Sequence, residues 1–165
     1  MTTPDLCRLM ARYNAWQNRS LIAAADTLDD AARWRDRGAF FGSIAATLNH
    51  LLHDDALWLA RFAGDPRPED RLPTAVDTPS DWPAYKAARQ IRDAEITDWA
   101  ASLTPDTLTG VLVFHPGGGS ERVEKSRALC AAHLFNHQTH HRGQVHAMLT
   151  AAGVSPGPTD LAALT

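Results

Sequence analysis

Histidine is concentrated in one short segment of this 165-residue chain, where five of the eight histidines fall within residues 133–146. The rest of the segment has the apolar spacing of a buried helix. Imidazole is the commonest protein ligand for transition metals, and residues four apart share one face of a helix. His137 and His141 have that spacing. The first hypothesis is therefore a helix that binds a metal ion through these two side chains.

A helical projection separates the five histidines. With about 100° per residue, His137 and His141 fall within the apolar arc of the helix. His133 and His140 lie at the margin of this arc. His146 is nearly opposite and is expected to face away. An unsatisfied buried polar group costs about 1–3 kcal/mol, so the buried pair needs either a metal ion or hydrogen-bond partners. The pair alone favours neither alternative.

The His-x-x-x-His spacing matches part of a His-Glu-x-x-His zinc site, but Gln138 stands where the catalytic glutamate of that motif would be. A metalloprotease is therefore a weak interpretation. Catalytic zinc sites use three protein ligands and keep one position open, so a third ligand must come from another helix.

The second predicted helix supplies the candidates for that third ligand. His50 and His53 both lie in it, next to Asp54 and Asp55. Packing of neighbouring helices can bring His50 against the histidine pair, and His53 is an alternative or additional ligand. Asp55 falls in the apolar arc of this helix. There it can accept a hydrogen bond from a ligand histidine, or pair with a tryptophan, an arginine or a backbone N–H group.

Four stretches have the three- and four-residue apolar spacing of amphipathic helices. They span residues 4–28, 43–63, 81–103 and 124–152. Pro4 fits a first helical turn, and Gly64 and Gly153 follow the second and fourth stretches as typical helix stops. We therefore predict an all-α single domain over residues 1–165. Its architecture is a four-helix bundle with long cross-connections, whose centre can carry a metal site.

Two connections between these helices are long. Residues 64–79 contain four prolines and several charges, which is typical of an ordered surface loop. Residues 107–122 contain a β-prone apolar run at 111–114, followed by three consecutive glycines. This pattern predicts a short β-hairpin, or an extended loop, before the last helix.

Composition and charge narrow the classes of function. Apolar residues make up 44% and charged residues 21%, as in ordinary soluble globular proteins. The net charge of −3 leaves no basic surplus to neutralise phosphates, so we expect no nucleic-acid partner. No run approaches the roughly 18 to 20 apolar residues that cross a bilayer, and the N-terminus lacks a signal-peptide pattern. We therefore expect no membrane partner and a cytoplasmic location. Cys7 and Cys130 are too few for a disulfide framework and are expected to be buried as small hydrophobes.

Several segments together resemble the DinB family of bacterial metal-binding four-helix bundles. They are residues 14–18 (Asn-Ala-Trp-Gln-Asn), 42–52 (Gly-Ser-Ile-Ala-Ala-Thr-Leu-Asn-His-Leu-Leu) with Asp55 and Trp58, 135–144 (Phe-Asn-His-Gln-Thr-His-His-Arg-Gly-Gln), and Asp160-Leu161. The resemblance covers nearly the whole chain, and the combination is far more specific than any single motif. It implies a divalent metal held by three histidines, which in this chain are His50, His137 and His141.

The resemblance implies specific metal ligands but does not imply one specific reaction. Relatives in the wider superfamily resemble thiol-dependent isomerases and thiol S-transferases, in which the metal activates a low-molecular-weight thiol. We therefore expect a metal-dependent transferase, isomerase or hydrolase with an open coordination position, acting on a small-molecule substrate such as that thiol. The alternative is a non-catalytic bundle, in which a fourth side chain closes the site and the metal stabilises the fold or a dimer. The spare candidates for that fourth ligand are His53, Asp54, His133 and His140. A homodimer is a further implication of the resemblance.

Two residues near the histidine pair are candidates for contacts with a substrate or with a metal ligand. Arg142 can anchor a carboxylate, or form a surface or dimer-interface salt bridge. Gln144 points closer to the histidine face and can hydrogen-bond a ligand, or bond a neighbouring helix. For the metal itself, three imidazoles suit zinc or nickel first, with iron and copper as further options.

Overall fold

The described part of the protein, residues 2–68 and 81–164 of a computed structural model, is mostly helical. Four long helices pack together, which confirms the predicted helical bundle. They are α1 (Pro4–Ala25), α3 (Ile44–Phe62), α4 (Trp82–Ser102) and α5 (Arg127–Ala151), and the short helix α2 (Asp30–Trp34) lies between the first two. Helices α1 and α3 each pack against both α4 and α5, so they occupy opposite corners of the bundle. None of the described helices combines the length and apolar character needed to cross a membrane.

Each long helix begins at a residue whose side chain caps its first turn. The capping oxygens accept hydrogen bonds of 2.8 to 3.2 Å from backbone N–H groups three residues further on. A cap of this kind contributes about 1 kcal/mol to stability. The capping residues are Thr3, Ser43, Asp81 and Ser126. At the other ends of α3 and α5, Gly64 and Gly153 have φ of +97° and +82°, a left-handed conformation that glycine adopts readily.

The first helix is shorter than predicted. It ends at Ala25 rather than at residue 28, and the chain then forms α2, which the apolar spacing did not predict. Asp29 caps α2 by accepting a hydrogen bond of 2.7 Å from the N–H group of Ala32. A helix of five residues is too short to show a period, which explains the omission.

The short antiparallel hairpin before α5 is confirmed, but its second strand lies further along the chain than predicted. Strand β1 (Val111–Phe114) pairs with β2 (Val123–Ser126), so that residue 111 faces residue 126. Residues 124–126, expected to open the last helix, therefore belong to the sheet, and α5 begins at Arg127. From residue 69 onward, the predicted surface loop over 64–79 lies outside the described residues.

Two apolar clusters fill the bundle, and a layer of buried polar residues lies between them. The cluster next to the hairpin contains Cys7 and Cys130, which are buried and free, as predicted. The other cluster includes Leu21, Ile44 and Val145. The polar layer occupies the middle of all four long helices and consists of Asn14, Asn18, Asp55, Arg89, Asp93, Gln138 and Arg142. Buried polar groups of this kind are stable only when they are hydrogen-bonded to one another.

Candidate metal centre

Three histidines from two helices meet at one place on the bundle. His50 lies on α3, and His137 and His141 lie one turn apart on α5. One ring nitrogen of each lies within 4.8 Å of the others. The Nε2 atoms of His50 and His137 are 3.1 Å apart. Among the described residues His53 does not join this group, so the geometry favours His50 as its member from α3.

The spacing of these nitrogens fits a single metal ion. Zinc binds imidazole nitrogen at about 2.0–2.1 Å, which places two nitrogens of a tetrahedral site about 3.3 Å apart. The observed 3.1 Å between His50 and His137 is close to that value. The ring of His141 approaches the other two with centroid distances of 4.4 and 4.6 Å. These three side chains can therefore hold a divalent metal.

The three imidazoles are uncharged at neutral pH. Burial, followed by the proximity of His141 and other histidines, lowers the pKa of His137 to about 3 and the pKa of His50 to about 4. Burial also lowers the pKa of His141, although its hydrogen bond to Gln144 acts in the opposite direction. A protonated imidazole cannot bind a metal, because both ring nitrogens then carry hydrogen. The cluster thus presents three neutral donors.

Gln144 sets the orientation of one of these rings. Its oxygen Oε1 lies 2.7 Å from Nδ1 of His141, so Nδ1 donates the hydrogen bond and the lone pair is on Nε2. Contacts of this kind fix the tautomer of metal-binding histidines. The amide nitrogen of Gln144 lies 3.2 Å from Nε2 of His140, which is exposed. The structure therefore places Gln144 in contact with a candidate ligand, one of the two roles expected for it.

A carboxylate lies beside the cluster. Asp54 Oδ2 is 3.3 Å from Nε2 of His137, and Asp54 Oδ1 is 3.8 Å from Nδ1 of His50. The Asp54 side chain is 22% exposed, somewhat more than the side chains of His50 (13%) and His137 (16%). Sequence reasoning named Asp54 only as a spare fourth ligand. The signal for a closer role was its position four residues after His50, which puts both on one helix face.

Asp55 points into the polar layer. It accepts hydrogen bonds of 2.6 Å from Arg89 and 2.8 Å from Gln138. Of the roles expected for this carboxylate, the structure shows the pairing with an arginine. Gln138 follows His137 in the sequence, so its hydrogen bond to Asp55 joins α3 to α5 one residue away from the histidine cluster.

Arg142 also belongs to the polar layer. Its guanidinium donates to Oδ1 of Asn14 and, at 3.3 Å, to Oγ1 of Thr139. It lies 5.4 Å from the ring centroid of Tyr13, on the side of α1. Arg142 is 5% exposed, which rules out the expected surface salt bridge. Burial lowers its pKa to about 10, so the side chain stays charged at neutral pH. Its role as a carboxylate anchor stays a prediction.

An aromatic ring covers one flank of the cluster. Phe41 stacks on His50 with centroids 4.0 Å apart and an interplanar angle of 27°, and it lies 5.4 Å from the ring of His141. Phe41 lies in the loop before α3, which starts at Ile44, so this contact could not be predicted from helical spacing.

The remaining histidines of α5 stay outside the three-membered group. The exposed His133 packs against Trp58, with ring centroids 4.9 Å apart. His146 points elsewhere, with Nε2 3.3 Å from the carbonyl oxygen of Gly157. The segment therefore contributes two members to the cluster, as the helical projection indicated.

Comparisons with known proteins cover the whole chain. All 165 residues match the profile of the DinB family, over positions 1–165. Protein DinB of Bacillus subtilis (strain 168) is 26% identical over 166 residues, which cover 94% of this chain and 91% of that protein. A search of solved structures gives no significant match. The similarity thus extends across both helices that carry the candidate metal centre.

Proposed function

Because this chain belongs to the DinB family, we propose that His50, His137 and His141 bind one divalent transition metal ion in a metal-dependent enzyme. The observation that carries the proposal is the convergence of three ring nitrogens within 4.8 Å. Zinc or nickel is the expected metal, and iron and copper also suit three imidazoles.

An open coordination position is the feature that favours catalysis. Catalytic zinc sites combine three protein ligands with one exchangeable position, whereas structural sites have four protein ligands. In the described part of the chain, the group of converging donor atoms has three members. A divalent metal held there would lower the pKa of a water molecule or thiol that it binds, and so supply a nucleophile near neutral pH. We propose thiol S-transfer, isomerisation or hydrolysis on that basis, with a low-molecular-weight thiol as one candidate substrate.

The surrounding side chains have distinct parts in this proposal. Asp54 lies 3.3 Å from His137 and faces solvent, so its carboxylate can hold a proton released by the nucleophile. Gln144 keeps His141 in the tautomer that presents Nε2. Phe41 excludes water from the flank next to His50.

The second candidate function is a non-catalytic metal site that stabilises the fold or a dimer. The position of Asp54 is the observation that favours it. With oxygens 3.3 and 3.8 Å from nitrogens of two candidate ligands, Asp54 lies close enough to act as a fourth ligand. Four protein ligands would close the site.

Elemental analysis of the natively purified protein tests the metal site. We expect about one metal ion per chain in the wild type and a loss of metal in His50→Ala, His137→Ala and His141→Ala. His53→Ala is the matched control, since it removes a neighbouring histidine of α3 that lies outside the group. Background metal in the wild type, or full metal in His50→Ala with loss in His53→Ala, would show that the proposed ligand set is wrong. Turnover is then assayed with a panel of low-molecular-weight thiols and an electrophile, before and after metal removal.

A further inference from the structure

The loop between α2 and α3 carries two adjacent aromatic residues from the histidine cluster to the surface. Phe41 stacks on His50 with centroids 4.0 Å apart. Phe40 meets Phe41 edge to face, with centroids 4.9 Å apart and an interplanar angle of 82°. Phe40 is nevertheless 84% exposed. A continuous aromatic surface therefore extends outward from a candidate metal ligand.

Backbone hydrogen bonds hold this loop in one conformation. The N–H group of Arg37 donates to the carbonyl of Gly42 at 2.7 Å, and the N–H group of Gly42 donates to the carbonyl of Ala39 at 2.8 Å. Gly38 and Gly42 have φ of +74° and +77°, which residues with a side chain rarely adopt. Ser43 then caps α3. The exposure of Phe40 thus occurs within an ordered turn and not at a frayed end.

Polar side chains also border the histidine cluster. It carries the carboxylate of Asp54 and the exposed ring of His140, which lies 4.9 Å from His141. A single exposed apolar residue is ordinary on a protein surface. Phe40 differs because its aromatic contacts place it next to a group of potential metal ligands. An apolar surface and charged or polar groups beside the same histidine cluster would orient a ligand that has both kinds of group.

We propose that Phe40 and Phe41 determine specificity by binding an aromatic or similarly bulky apolar group of the substrate. The donor atom of that substrate enters the open coordination position, so this inference rests on the proposed metal site. The substrate class is then a small molecule with a polar, metal-binding end and an apolar body. The ordered loop between α2 and α3 already holds the phenylalanine rings in place. A substrate group that stacks on them therefore binds more tightly, because the loop does not have to become ordered first.

Two hydroxamates provide the test, because they share a metal-binding group and differ in the apolar substituent. The cobalt-loaded protein is titrated with acetohydroxamate and with benzohydroxamate, and binding is followed by the visible absorption of the cobalt ion. We expect benzohydroxamate to bind about tenfold more tightly than acetohydroxamate, and this ratio to fall to about twofold or less in Phe40→Ala. Phe40→Leu should give an intermediate ratio.

Ile91→Ala is the matched control, since Ile91 is a 61% exposed apolar residue on α4. It should keep the wild-type ratio. Equal affinities for the two hydroxamates in the wild type, or the same ratio in wild type and Phe40→Ala, would overturn the inference while leaving the metal site intact. Failure of the protein to take up cobalt, seen as a missing absorption band, would overturn the proposed function and with it this inference.

Discussion

Asp54 has a different role in each of the two functions proposed for the histidine cluster. Its carboxylate lies close to nitrogens of both His50 and His137, and it is accessible to solvent. In a catalytic site it would take up a proton, and in a closed site it would be a ligand. The two roles make different demands, because proton transfer needs a basic oxygen that stays off the metal, whereas coordination needs an anionic carboxylate, which a neutral amide replaces poorly.

The substitution Asp54→Asn preserves the shape of this side chain and removes its basicity. If the site is catalytic, we expect about one metal ion per chain and a fall in metal-dependent turnover of about 100-fold, which is a typical contribution of a general base. Metal content and turnover are measured on the same preparation. Asp98→Asn, at an exposed position of α4, is the control and should change neither. Loss of metal from Asp54→Asn would favour the non-catalytic site, and unchanged turnover would contradict a proton-transfer role.

At the level of helices, the polar layer holds the four long elements in register. Arg89 of α4 lies 2.6 Å from Asp55 of α3 and 3.0 Å from Asp93 of its own helix. Asn18 of α1 donates to Asp93 at 2.7 Å, and Gln138 of α5 donates to Asp55 at 2.8 Å. Burial alone would lower the pKa of Arg89, but the two carboxylates outweigh it and raise that pKa. The cation is therefore essential to the layer.

Replacing Arg89 tests whether its cation stabilises the polar layer. Arg89→Met leaves the carboxylates of Asp55 and Asp93 buried without their cation, and we expect it to lower the free energy of unfolding by about 3–5 kcal/mol. Urea denaturation measures the change. Arg92→Met is the control, since the ion pair of Arg92 with Glu95 is partly exposed and should contribute less than about 1 kcal/mol. Similar small losses in both variants would show that the polar layer contributes little to stability.

The long helices could be predicted from the sequence, whereas the shorter elements were predicted less well. Apolar spacing identified the four long helices, because each buries one continuous face against its neighbours. It missed α2, which is too short to have a period, and it assigned residues 124–126 to α5, although they pair with β1.

The site was predicted less completely than the helices. An apolar arc locates the side that faces the core, and His50 and Asp54 are only half-buried at the edge of that side. Phe41 reaches the cluster from a loop, through a contact that depends on the turn at residues 38–42. Such contacts have no period in the sequence, so only the assembled structure shows them.

For the molecule as a whole, the buried histidines make stability depend on pH when no metal is bound. In the unfolded chain these imidazoles take up protons below their ordinary pKa of 6.5, whereas in the folded protein His50 does so only near pH 4 and His137 only near pH 3. Between pH 6.5 and about pH 4, these two imidazoles bind more protons in the unfolded state than in the folded state. These two histidines therefore lower the free energy of unfolding as the pH falls from about 6.5 to about 4.

Urea denaturation of the chelator-treated protein at pH 7 and pH 5 measures this dependence. We expect a lower midpoint at pH 5, and a smaller difference in the variant His50→Gln/His137→Gln, which lacks both titrating rings. An equal or larger difference in that variant would mean that other groups cause the pH dependence.

The distance along the chain between the clustered histidines has a kinetic consequence. His50 and His137 are 87 residues apart, and α4 and the hairpin lie between them. In the proposed metal site, an ion shared by these residues would be a removable cross-link. Closing a loop of that size in an unfolded chain would cost about 4–5 kcal/mol of chain entropy, so we expect an ion to bind after α3 and α5 have packed. Such an ion would slow unfolding and would hardly change the rate of folding. Removing the ion would shorten the lifetime of the native state, which stopped-flow unfolding with and without a chelator would measure.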